Sequence, residues 1–174
     1  MKYQTTIIFA AISLAFAACG DFGKQQNQPS ASAPAQTYVK ATKDRPSNIP
    51  SMLTTTEPCS LDAVNDQPAQ DTYLVVDKTK VKFAGWAGNV ANGTSPKEVW
   101  LELVGSDSAY VKAIRGGKRP DVASSFNKPG LADAGWELYA DLSVLAAGDY
   151  KAQILMVDGQ QGLTCETKRA IKIK

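Results

Sequence analysis

The chain has 174 residues, 44% hydrophobic and 21% charged, a balance that fits one soluble core with accessory segments and excludes a polytopic membrane protein or wholesale disorder. It contains no histidine, which rules out nucleophiles activated by a histidine base, histidine-ligated zinc and the usual proton shuttle near neutral pH. A net charge of +2 is too small to draw the chain to nucleic acid.

Residues 1–18 carry Lys2 and then an uncharged stretch, Tyr3 to Ala18, that ends in small residues; this predicts a secretory signal peptide. The run is short of the about 20 residues that a bilayer-spanning helix needs. It closes on Phe16-Ala17-Ala18-Cys19-Gly20, which resembles the lipobox of bacterial lipoproteins, with Phe16 in the place usually held by leucine. The resemblance implies cleavage before Cys19, a diacylglyceryl group on its sulfur and a membrane anchor. Gly20, standing where an aspartate would retain the protein, implies delivery to the outer membrane by the sorting rule of enteric bacteria. Two or three acyl chains hold a protein far more firmly than one.

Residues 19–56 then read as a lipid-anchored disordered linker. Gln25 to Gln36 is rich in glutamine, serine, alanine and proline, with no aliphatic periodicity. The stretch from Gly20 to about Met52, a flexible coil of about 33 residues, has an r.m.s. reach of roughly 30 Å. Tyr38-Val39 and Met52-Leu53 are the places where this segment could instead dock as an extra edge strand.

From 57 to 174 the hydrophobic signal has period two. Alternation marks Tyr73 to Val76, Val81 to Ala87, Val99 to Val104, Tyr110 to Arg115, Gly135 to Leu142, Tyr150 to Val157 and Ala170 to Lys174. Asn92-Gly93, Gly116-Gly117, Gly148-Asp149 and Asp158 to Gly162 supply turns between them. About seven short strands at this spacing predict an all-β fold, a single antiparallel immunoglobulin-like β-sandwich. The one helix-like piece is Asp121 to Phe126, with Asp121 as cap and Val122 and Phe126 stacked at i, i+4.

Three cysteines are an odd number, and assigning Cys19 to lipid leaves the pair Cys59 and Cys165. The expected positions are before the first strand and just before the last, and an oxidising compartment permits a structural disulfide between them. The 106 positions separating them argue against a redox or metal pair.

Phe83-Ala84-Gly85-Trp86-Ala87, Arg119-Pro120-Asp121-Val122-Ala123 with Phe126, Ala134-Gly135-Trp136 and Leu145 to Tyr150 occur in that order. The ordered set resembles a small β-sandwich module, with a Gly-Trp-Ala strand and an Arg-Pro-Asp-Val corner, that is appended to bacterial envelope glycosyltransferases and cell-wall amidases. Cys59 to Asn65 is similar to the opening segment of versions with a cysteine pair. The resemblance implies a non-catalytic accessory domain.

Physically, Arg119 and Asp121 read as a structural corner around Pro120, with Arg119 available to pair with a carboxylate. Trp86 and Trp100 lie in register opposite the aliphatic stripes and are the candidates for a binding face, whereas Trp136 shares the face of Leu138, Ala140 and Leu142. The 17 acidic residues include no Glu-x-Glu or Asp-x-Asp pair, and Glu137 and Asp141 read as solvated carboxylates, so no catalytic residues are expected. Asp158-Gly159 alone is a turn rather than a calcium loop, and neither a metal nor a cofactor is expected. From Glu57 onward 14 basic residues face 15 acidic ones, which supports no nucleic-acid partner. Lys168, Arg169, Lys172 and Lys174 read as charges guarding an edge strand.

The expected function is an outer-membrane lipoprotein presenting a non-catalytic binding module to a cell-wall glycan or an envelope protein, with the membrane as a partner through acylated Cys19. The alternatives are a structural or assembly lipoprotein of an envelope machine and a prophage-type exclusion lipoprotein.

Overall fold

The computed structural model describes residues 36–174; the signal segment, Cys19 and the linker as far as residue 35 lie outside the described residues. Along the described chain run β1 (Val39–Lys40), β2 (Thr54–Thr55), β3 (Ser60–Val64), β4 (Gln67–Pro68), β5 (Thr72–Val75), β6 (Val81–Trp86), β7 (Glu98–Val104), β8 (Ser108–Lys112) and β9 (Ile114–Gly117). A short helix, α1 (Pro120–Ser125), and a 3-10 turn (Pro129–Leu131) precede β10 (Gly135–Asp141), β11 (Gly148–Asp158) and β12 (Gln161–Ile173).

Two six-stranded sheets form the sandwich. The first has the order β1-β10-β6-β3-β4, with β9 also on β10; the second has the order β2-β12-β11-β7-β8, with β5 also on β12. All the long ladders are antiparallel, as alternation with short turns requires, whereas the edge pairings β1–β10, β2–β12 and β5–β12 are parallel. Alternation becomes burial directly in β7, where Val99, Leu101 and Leu103 are buried and the residues between them are half-buried. Phe83, Leu101, Leu138, Tyr150, Ile154 and Ile171 meet in the core between the sheets. Each contributes about 1.5 to 3 kcal/mol through removal of apolar surface from water.

The disulfide joins Cys59, directly before β3 in the first sheet, to Cys165 in β12 of the second, with the Cα atoms 6.2 Å apart. Cys165 therefore lies within the last strand and not before it. β12 runs back to Gln161 because the Asp158–Gln161 pair, with Gly159 at φ +65, closes a tight hairpin that extends the ladder.

The expectation of a disordered linker as far as residue 56 is corrected over 36–56. Val39 and Lys40 pair with Ala140 and Asp141, Thr42 bridges to Tyr110, and Thr54 and Thr55 pair with Leu163 and Thr164. Between these anchor points the chain is a strap across the outer face of the second sheet. Ile49 and Leu53 pack there on Tyr110, Leu155, Val157 and Trp100. Asn48 Nδ2 donates to Glu98 Oε2 at 2.7 Å and Lys43 Nζ pairs with Asp107 at 2.7 Å. Two apolar side chains sufficed to dock a segment whose composition is otherwise that of a linker.

The cations near the C-terminus do not guard an open edge. β12 is flanked by β11 and β5, and Lys168, Arg169 and Lys172 face Glu57, Asp71 and Asp149 at 3.6, 2.9 and 3.6 Å. No helix among the described residues is long and apolar enough to cross a membrane.

Candidate functional site

The two tryptophans expected on an exposed binding face are both covered, each by an element outside the alternating strands. Trp86, 8% exposed, sits under the α1 and 3-10 cap with Val122, Leu131 and Ala134, its ring 5.6 Å from that of Phe126. Trp100 is half-buried beneath the strap; its Nε1 donates to Glu98 Oε2 at 3.2 Å, and Lys112 Nζ lies 5.6 Å from its ring centroid. The Lys112 ammonium, followed by the Trp100 and Asn48 donors, holds the Glu98 carboxyl below the usual range. Trp136, 3% exposed, lies in the core as its register predicts. With an aqueous quencher the protein should therefore show one partly accessible tryptophan component, and Trp100→Phe should remove it. A second quenchable component that survives that substitution would place Trp86 or Trp136 at the surface.

The Arg-Pro-Asp-Val corner is built as a charged clamp. Arg119 is the N-cap residue of α1, and Asp121 lies in the first turn without a capping hydrogen bond, so the expected Asp121 cap is corrected. Pro120 starts the helix one residue earlier than expected because its fixed φ suits the first turn. That shift frees the Asp121 carboxylate to accept from Arg119 Nε at 3.0 Å and Nη2 at 2.8 Å, while Arg119 Nη1 reaches back to Asp62 of β3 at 2.6 Å. The Arg119 guanidinium lowers the Asp121 carboxyl from its ordinary 3.8 to about 2. A depressed folded value means that the clamp is fully formed above pH 3.8 and loosens as pH falls through about 2. A carboxyl-carbon NMR titration should find Asp121 still ionised near pH 3; a midpoint near 4 would remove the clamp.

Beside this clamp, the outer face of the first sheet has a hollow of about 420 Å³. It arises where side chains are missing. Ala84, Gly117 and Gly135 make its floor, with the paired Arg119 and Asp62, and Ile114, Arg115, Lys118 and Glu137, around it. The glycines are required by backbone approach: a Cβ on Gly135 would lie 2.6 Å from the Gly117 carbonyl oxygen across the β9–β10 pairing. Gly85 is likewise obligatory, since its Cβ would collide with the Ser60 carbonyl and lie 2.8 Å from Trp136 Cζ2. Among the described residues, Trp136 Nε1 beneath this floor is the buried side-chain polar atom with no hydrogen-bond partner.

Sequence reasoning singled out Arg119 and Asp121 but not Asp62, Ala84, Ile114, Arg115 or Glu137. Ile114 is 60% exposed and Arg115 has no ion-pair partner within 4 Å among the described residues. The available signal is the glycine set itself: Gly85, Gly117 and Gly135 within strand patterns mark close backbone approach, although Gly116-Gly117 also reads as a turn. Cys19 lies outside the described residues. No group of three or more metal-ligating side chains occurs among the described residues. The charged groups of the hollow suit binding: Asp62 is held by Arg119, and Glu137, opposite Ala84 and Ile114 in the ladder, also lines it.

No protein-family model, no curated protein and no solved structure matches the chain.

Proposed function

We propose that this chain is an outer-membrane lipoprotein, acylated on Cys19, whose β-sandwich is a non-catalytic module that binds a component of the cell envelope, a glycan or a protein. The reading assigns the module no reaction, no cofactor and no nucleic-acid partner. The observation that carries it is the hollow on the first sheet, a concave and mainly apolar surface ringed by a few charged side chains, with Ile114 exposed at its rim. The lipobox-like Phe16 to Cys19 segment supports the anchor, and the ordered Gly-Trp-Ala and Arg-Pro-Asp-Val stretches support an accessory role.

Two measurements test the reading. Cells should incorporate labelled palmitate into the wild type and not into Cys19→Ala; an unlabelled, freely soluble wild type would end the anchor proposal. A photo-crosslinking residue placed at Ile114 should capture an envelope component that the same residue at Val76, which is exposed just after β5, does not. Ala84→Leu fills the hollow from a half-buried position outside the main core, so it should suppress that capture while changing stability by no more than about 0.5 kcal/mol. Equal capture from Ile114 and Val76, or capture indifferent to Ala84→Leu, would reject the hollow as the binding site.

A further inference from the structure

β9 is exposed at all four of its residues and pairs with β10 alone among the described strands, so its other side is an open sheet edge. Nothing lies within 4 Å of a Cβ built on Gly116. Opposed residues share a face, so Ile114 stands with Glu137 on the outer face over the hollow; the register shift between Gly135 and Trp136 breaks the alternation at Gly116, and Arg115 lines the hollow as well. The hollow has no side chain at Gly117. A strand laid against β9 could therefore pass a side chain over Gly117 towards Ile114 and bring a carboxylate to Arg115 at the same hollow.

We propose that β9 receives an extended acidic segment of a partner protein by strand addition, with an apolar residue seated at the hollow beside Ile114 and a carboxylate received by Arg115. This inference rests on the hollow being the binding site and names the class of its occupant. Charge makes the choice. Arg115 has no carboxylate within 4 Å among the described residues, and the Lys118 ammonium, paired with Asp133 at 2.6 Å, is largely exposed at the same end. A second copy of this chain would bring those same cations against each other, which disfavours β9 pairing with itself. A glycan would look for an exposed aromatic ring to stack upon; Trp86 and Trp136 are buried, and Tyr139 beside Glu137 is half-buried and already met by the Tyr38 ring edge-on and by the Lys82 ammonium. A row of open backbone donors and acceptors next to a side-chain pocket is instead the arrangement by which sheets take up peptides. The left-handed φ of +97 at Gly116 keeps the added ladder short, so the ion pair and the pocket must share the recognition with the backbone.

The test uses the full chain and three blocked ten-residue peptides: alternating Glu and Val, alternating Lys and Val, and the Glu-Val peptide N-methylated along one edge. The Glu-Val peptide should bind about tenfold more tightly than the Lys-Val peptide and weaken as salt is raised. Its binding should shift and protect the amides of Ile114 to Gly117. N-methylation should abolish it, and Arg115→Glu should reverse the ranking of the two unmethylated peptides. Equal binding of those two, unaffected binding after N-methylation, or amide changes confined to other strands would overturn the proposal. So would cell-wall glycan fragments that shift the β9 amides when no peptide does. In that last case Ile114 crosslinking and its loss in Ala84→Leu would still hold, so failure of strand addition is distinguishable from failure of the binding-module reading.

Discussion

Breaking the Cys59–Cys165 bridge is expected to lower stability by roughly 2 to 5 kcal/mol. The bridge spans 106 positions and ties the first sheet, just before β3, to the middle of the second in β12. In the unfolded chain it closes a loop comprising most of the body, so the larger part of its effect lies in the freedom it removes there. Cys59→Ala is the cleaner variant, because Cys165 is fully buried and serine at that position would add a buried hydroxyl to the lost bond. The double variant Cys59→Ala/Cys165→Ala should cost little more than Cys59→Ala alone, since both lack the same bond. Urea unfolding should also show a steeper slope for the variants, whose unfolded state is free to expand. Reductant should bring the wild type down to the level of Cys59→Ala and leave that variant unchanged. A wild type indifferent to reductant after unfolding would mean that the thiols are not bridged.

The central strands were legible because period-two burial is a direct consequence of strand geometry: Val99, Leu101 and Leu103 of β7 and Leu138 and Ala140 of β10 go where the alternation sends them. What escaped was whatever lacked alternation. β3 carries Asp62 in the middle of a five-residue strand and pairs with a register shift between Leu61 and Ala63, so its pattern is broken in both sequence and structure. The strap showed only as an alternative, in Tyr38-Val39 and Met52-Leu53, because a two-residue strand has no periodicity to show. Yet its presence was written elsewhere, in the run Ile154-Leu155-Met156-Val157 of β11, where all four residues are buried. A strand apolar on both faces requires a cover on its outer face, and Ile49 and Leu53 supply it.

The same omission explains the tryptophans. Register correctly sets Trp86 and Trp100 apart from the core stripes, but opposite the core is not the same as exposed when α1 covers one and the strap covers the other. The clamp was half legible: Arg119 and Asp121 are two positions apart in sequence, whereas Asp62 comes from a strand 57 positions away and nothing local indicates the pairing. The hollow itself is made of missing side chains at Ala84, Gly117 and Gly135, three residues brought together only by the β6–β10–β9 ladder. A void of that kind leaves no hydrophobic pattern to read.

Trp86→Ala is expected to cost about 3 to 5 kcal/mol, the range for truncating a buried tryptophan. Its ring is the surface on which α1 and the 3-10 turn rest, through Val122, Leu131, Ala134 and Phe126. α1 has only six residues and no side-chain cap, so it has little helical stability of its own and depends on that packing. Trp100→Ala should cost clearly less, because Trp100 is half-buried and the strap keeps Ile49 and Leu53 on Leu155 and Val157. The difference extends to the hollow. Loosening α1 releases Asp121 and Arg119 from the clamp beside it, so in Trp86→Ala the Asp121 carboxyl should titrate closer to its ordinary 3.8 than to about 2. Trp86→Phe retains an aromatic ring against Phe126 and should keep both most of the stability and the low carboxyl value. A Trp86→Ala protein within 1 kcal/mol of wild type, or one that loses stability while Asp121 still titrates near 2, would show that the cap and the clamp are not built on Trp86.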